Sequence, residues 1–186
     1  MQFSKMRLLV ATTALAVFSS VAVAQNMPMV GGAPMDPAKT IPANASKADN
    51  LTTLVAAVKA AGLVDTLASD GPFTVFAPTN AAFQALPPGT VDTLLKPQNK
   101  AKLTEVLTYH VVAGDLSAAN LASMARNSPD KLANLRTVEG GPLSVRFLNS
   151  GAVIYDESGN RYNITQADVN QANGVVHVID GVLLPK

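Results

Sequence analysis

TVFAPTNAAF, residues 74–83, sets a β-branched and aromatic run against a proline, a capping residue and an apolar helix face. Phe73, Val75 and Ala77 alternate with Thr74 and Phe76, which is the period of a strand. Pro78 has no N–H with which to continue a ladder, and Thr79 is a natural N-cap for a helix that turns Phe83 and Leu86 inward. A strand turning sharply into a helix is also the shape of a nucleophile elbow, where the nucleophile sits on the turn. Here the turn carries Pro78, Thr79 and Asn80, and no His or Lys lies near Thr79 in sequence to take its proton. The stretch therefore reads as a structural joint, with Thr79 and Asn80 opening the helix and Phe83 anchoring it.

Outward from the joint the pattern changes from helical to strand-like. On its N-terminal side, DNLTTLVAAVKAAGL (49–63) places Leu51, Leu54, Val55 and Val58 at helical spacing, with Asp49 or Asn50 as N-cap and Gly62 closing the helix. On its C-terminal side LPPG stops the short helix and Val91–Leu95 give one more turn. NKAKLTEVLTYHVV (99–112) then runs as a helix with Leu103, Val106 and Leu107 inward and passes directly into a strand. SAANLASMARN (117–127) reads as a last helix. Past Leu135 the period becomes two: PLSVRFL (142–148), GAVIYD (151–156), NRYNITQADV (160–169) and GVVHVIDGVLL (174–184). The turn clusters EGG, NSG, ESGN and NQANG separate them. Helices first and hairpins after predict an α+β domain.

Composition excludes several functions. Apolar residues make up 48% of the 186-residue chain and charged residues 15%, enough for one folded core. A net charge of +1, no Lys/Arg cluster and no Trp argue against nucleic-acid binding. Without cysteine, disulfides, thiolate catalysis and thiolate metal sites are all absent. Lys5 and Arg7 precede the apolar run Leu8–Val21, and Ala22-Val23-Ala24 supplies a small-x-small cleavage pattern. Residues 1–24 are therefore expected to be a cleaved signal peptide, leaving a secreted or periplasmic product with no membrane insertion after cleavage.

Residues 25–39 form a Met-, Gly- and Pro-rich arm expected to resist regular structure. Met27, Met29 and Met35 offer soft thioether ligands for Cu(I), although methionines more commonly pack onto an apolar surface. His110 in TYHVV and His177 in GVVHVID both read as strand residues flanked by valines. Two histidines without a third ligand fall short of a zinc site, so they are expected to be satisfied by hydrogen bonds within the fold.

Three segments, TVFAPTNAAFQAL (74–86), YHVV (109–112) and NGVVHVIDGVLLP (173–185), occur in the order and spacing of the fasciclin (FAS1) domain. Thr40–Lys186 resembles that family over nearly all of the expected mature chain. The resemblance implies a wedge of mostly antiparallel strands flanked by helices, in secreted or surface-anchored adhesion and matrix modules. It implies no enzymatic activity and no cofactor. The family's Tyr-His motif falls on Tyr109 and His110, and its acidic-aliphatic contact pair on Asp168 and Val169, with Val where Ile is more typical. Gly174 and His177 fall in the final core motif. The implied partner is a protein or polysaccharide at a cell surface or matrix; the sequence leaves the oligomeric state open, with a monomer favoured. The alternative is a periplasmic small-ligand or copper-handling protein that uses the methionine arm or a groove beside Tyr109.

Overall fold

The computed structural model describes residues 27–186; the expected signal peptide lies outside them. The arm does not stay irregular. Met29–Val30 (β1) and Ala33–Pro34 (β2) pair as a small hairpin, with Gly31 and Gly32 in its turn at φ 56° and 78°, backbone that glycine adopts without cost. Val30 and Met35 then reach the same buried cluster as Leu54 and Val75. Burial of two apolar side chains outweighs the low intrinsic order expected of this composition.

Helices follow: Ile41–Ala45 (α1), Thr52–Ala61 (α2) and Val64–Ala68 (α3), then strand Phe73–Pro78 (β3) and helix Asn80–Gln84 (α4). Thr90–Leu94 (α5), Lys100–Tyr109 (α6), strand Val111–Ala113 (β4) and helix Ala118–Asn127 (α7) complete the first half. The second half is strands: Ala133–Arg136 (β5), Pro142–Leu148 (β6), Gly151–Tyr155 (β7), Arg161–Gln171 (β8) and Gly174–Ile179 (β9). The seven longer strands form one sheet in the order β4-β3-β9-β8-β7-β6-β5. Neighbours are antiparallel except β3 and β9, which run parallel with Phe76 opposite His177. The edges of the sheet meet at one point, where Val112 bridges Thr137 and Val138 N–H donates to Val111 O at 2.7 Å. The sheet is thus rolled into a wedge.

The roll creates two interiors. Val75 and Ala77 of β3 face the helices and pack with Leu54, Val58, Phe83, Leu103 and Leu107. Phe76, on the opposite face, enters the roll with Tyr109, Leu121, Val145, Ile154, Ile179 and Leu183. The alternation read in β3 is therefore the division between the two cores.

Two local expectations are corrected. Neither Asp49 nor Asn50 caps α2; its N-cap position is Leu51, which supplies no side-chain bond. Asn80 does so from outside the helix: its Oδ1 accepts from Thr53 N–H at 3.0 Å. Its Nδ2 is within hydrogen-bonding distance of Asp49 O and Thr52 Oγ1, at 3.0 and 2.9 Å. The joint thus opens two helices, because Thr79 Oγ1 accepts from Ala82 N–H of α4 at 3.3 Å. His110, expected in a strand, is instead the C-cap of α6 with φ −84° and ψ −4°. There its Nδ1–H reaches Val106 O, four residues back, at 2.8 Å, a bond that helical geometry permits and an extended strand does not.

Candidate functional site

The motif residues gather where α6, β8 and β9 meet the rolled sheet. Tyr109 ends α6 and points into the roll. Its hydroxyl donates to Pro142 O and accepts from Glu157 N–H, both at 2.8 Å, so it ties the helix to β6 and to the turn after β7. Burial pushes the phenol up to about 12, which keeps it a neutral donor. His110, one residue on, uses both ring nitrogens: Nδ1–H goes to Val106 O, and Nε2 accepts from Leu183 N–H at 3.0 Å. Burial lowers its pKa to about 4, so at neutral pH the ring is uncharged and protonated at Nδ1.

His177 is satisfied with the opposite tautomer. Its Nε2–H donates to Leu116 O at 2.8 Å and its Nδ1 accepts from Asp168 N–H at 3.3 Å. The ring stacks on Phe76 with centroids 5.6 Å apart, and burial lowers its pKa, against smaller opposing effects from Leu116 O, Asp168 and Asp115. Leu116 is held in place by Thr74, whose Oγ1 accepts from Leu116 N–H at 2.9 Å and donates to Gly114 O at 2.7 Å. Gly174 starts the strand that carries His177. At φ 154° its Cα lies against Phe73, and any Cβ would strike the Phe73 carbonyl.

Asp168 sits at a bulge where the β8–β9 register shifts and has φ 56°, a conformation uncommon outside glycine. Its side chain is exposed, and Oδ1 accepts from Ala118 N–H, the first helical residue of α7, at 2.6 Å. Beside this bulge, Asp70, Asp115, Asn170 and Asn173 line a shallow polar groove of about 430 Å³. The groove and the bulge meet at the start of α7: Asp115 lines the groove, and three residues on Ala118 N–H donates to Asp168.

This arrangement corrects the list of contact residues read from sequence. Tyr109, His110 and Val169 are 0, 2 and 1% exposed, so they present almost no surface to a macromolecular partner. Of those four positions, Asp168 alone is on the surface. The copper reading also loses its ligand set. Met35 is 2% exposed and packed in the core while Met27 and Met29 face solvent.

A family model described as the Fasciclin domain matches residues 49–185. The chain belongs to the fasciclin domain family. It is 45% identical over 157 residues to Protein sll1483 of Synechocystis, covering 84% of this chain and 79% of that protein. It is 40% identical to Immunogenic protein MPB70 of Mycobacterium bovis, covering 76% of this chain and 66% of that one. It is 39% identical to Transforming growth factor-beta-induced protein ig-h3 of Sus scrofa, covering 75% of this chain but 18% of that much longer protein. A solved FAS1 domain pair from the insect cell adhesion molecule Fasciclin I superposes with a TM-score of 0.70 at 21% identity, covering 78% of this chain and 51% of that one. The expected α+β wedge of mostly antiparallel strands is the fold observed.

In this fasciclin domain the Tyr-His segment and the final motif are the interior scaffold, and the polar groove beside Asp168 is the accessible surface they support. Sequence reading missed the groove because its residues come from three loops. The contact from Asp168 to Ala118 alone spans 50 residues, beyond any local signal.

Proposed function

We propose that this protein is an exported, non-enzymatic interaction module that holds a protein or polysaccharide partner at a cell surface or matrix, through the Asp168 bulge and its groove. The observation that carries this reading is Asp168 itself: an exposed carboxylate kept at positive φ. Backbone strain of this kind persists only where surrounding structure over-determines it, and it concentrates at binding sites. The adjoining groove offers the exposed carboxylates of Asp70 and Asp115 and the amide of Asn170, while the Asn173 amide is spent on Ile41, Leu67 and Ser69, a set suited to hydroxyl-rich or amide-bearing partners. The histidines are engaged on both nitrogens, which supports a structural role for them and leaves neither poised as a base. The basic n-region, apolar run and Ala22-Val23-Ala24 site support export.

Asp168→Asn tests the reading, because an amide oxygen still accepts from Ala118 N–H while the charge is gone. The expected result is an unchanged melt with reduced attachment of the purified protein to the native extracellular polysaccharide and to cells. Asp115→Asn should add to the loss. Full attachment by the double variant would remove the proposal, as would loss of a turnover activity in a His177 variant that melts normally.

A further inference from the structure

We propose that a second site, the groove between α1, α2, α3 and β3, binds a free single-chain amphiphile with a carboxylate head. The groove has a volume of about 440 Å³, within the ~300–1,000 Å³ of small-molecule sites. Two other apolar voids of this core measure about 10 and 20 Å³, packing gaps with room for a water at most. The walls are aliphatic and aromatic: Val55 and Val58 from α2, Val64 from α3, Phe73 from β3 and Leu107 from α6. Val138 stands at the rim and is 49% exposed. Val55, Val64 and Phe73 are only half-buried, so the folded protein leaves a continuous apolar lining in water.

The polar groups of the lining choose the occupant. Apart from the hydroxyls of Thr40 and the exposed Thr66, they are already engaged: Ser46 Oγ donates to Ala43 O at 2.9 Å and Thr108 Oγ1 to Thr104 O at 2.8 Å, and His110 is bonded at both nitrogens. A peptide segment would bring N–H and C=O groups into a wall that offers them few partners, at a desolvation cost. An alkyl chain requires none. The one charged residue of the lining is Lys59, which is exposed and has no ion-pair partner among the described residues. An apolar trough with a single free cation at its lip complements an alkyl chain ending in an anion. A two-fold pairing of two copies over the same groove would instead bring two lysines to one patch.

The test is calorimetric titration of the purified exported protein with dodecanoate at about pH 8, where the carboxylate is ionised. Dodecanol and vesicles of an anionic phospholipid serve as comparisons. The expected result is saturable one-to-one binding of dodecanoate. Lys59→Glu should weaken that binding on the order of tenfold while leaving dodecanol within about twofold and the melt unchanged. Val55→Trp, which fills the trough, should abolish both. No saturable binding would overturn the proposal, and so would binding that ignores Lys59→Glu. Binding to vesicles without binding to dodecanoate would assign the surface to membranes instead. Self-association abolished by Val55→Trp would assign it to a second copy.

Discussion

Val75 and Phe76 are neighbours in β3, yet they face interiors that are closed in different ways. On the Val75 side short helices cover the sheet, leaving a groove between them and half-exposed apolar walls. On the Phe76 side the rolled sheet covers itself with α7 added through Leu121 and Ala125, and Tyr109 seals the roll with two hydrogen bonds. Each side carries one histidine with both nitrogens bonded, in opposite tautomers. Similar apolar residues thus give one interior with no slack and another that can give way. The cost of a cavity depends on how well its surroundings relax, so equal deletions should be unequal on the two sides.

The largest effect is expected at the seal. Tyr109→Ala removes a fully buried ring and leaves Pro142 O and Glu157 N–H unpaired, for about 4–5 kcal/mol. Phe83→Ala, on the helical side, should cost about 3 kcal/mol. Denaturant melts that rank the two in reverse would break the comparison.

Acid is the next probe. His110 has a folded pKa of about 4 against about 6.5 when unfolded. The unfolded state therefore takes up the proton first. Stability is fully present above pH 6.5 and falls as pH drops toward 4, by roughly 3 kcal/mol from this residue. His177, whose pKa is also lowered, adds to the loss in the same direction. Urea melts between pH 7 and 4 measure the sum, and a flat profile would mean that neither ring is held neutral by burial.

A matched pair isolates packing from polar bonds. Val145, 0% exposed inside the roll, and Val58, 8% exposed beside the groove, lose the same atoms on changing to Ala. The expected costs are about 2.5 and about 1.5 kcal/mol, and equal values would mean that the groove gives no relief.

The smallest effects concern the helix starts. Asp168→Ala should cost about 1 kcal/mol, as for a lost cap, because its carboxylate holds Ala118 N–H. That is more than its exposure alone would suggest. Thr79→Ala should cost a similar amount, and Asp168→Asn nearly nothing. A thermal melt of each variant checks the order.

Legibility from sequence followed the range of the interactions. β6, β7 and β9, the cap on Thr79 and the division of β3 between two faces rest on contacts with near neighbours or on period, and they could be read directly. Asn80 as the cap of α2 could not, because its partners lie 27 and more residues away and Asp49 and Asn50 were plausible local substitutes. His110 looked like a strand residue because valines follow it, while its deciding bond runs backward into α6. Residues marked as contacts by family resemblance turned out to be interior at Tyr109, His110 and Val169, since a motif records that a residue matters without recording which way it faces. A groove beside Tyr109 could be suspected from sequence, but the walls of neither groove could be assembled from it, because loops and helices far apart in sequence form them.

The parallel pairing of β3 with β9 has a consequence for timing. Phe73 finds its partner in Gly174, roughly one hundred residues later in the chain. β3 is the strand from which both interiors are built, and until residues 174–179 emerge it has only the three-residue β4 beside it. A chain still being made, or still being threaded through a pore, cannot close either core from its leading end. Pairings of such long range are slow and leave apolar strands open meanwhile. Folding of this domain therefore waits on residues 174–179, whose arrival beside β3 lets both cores close together.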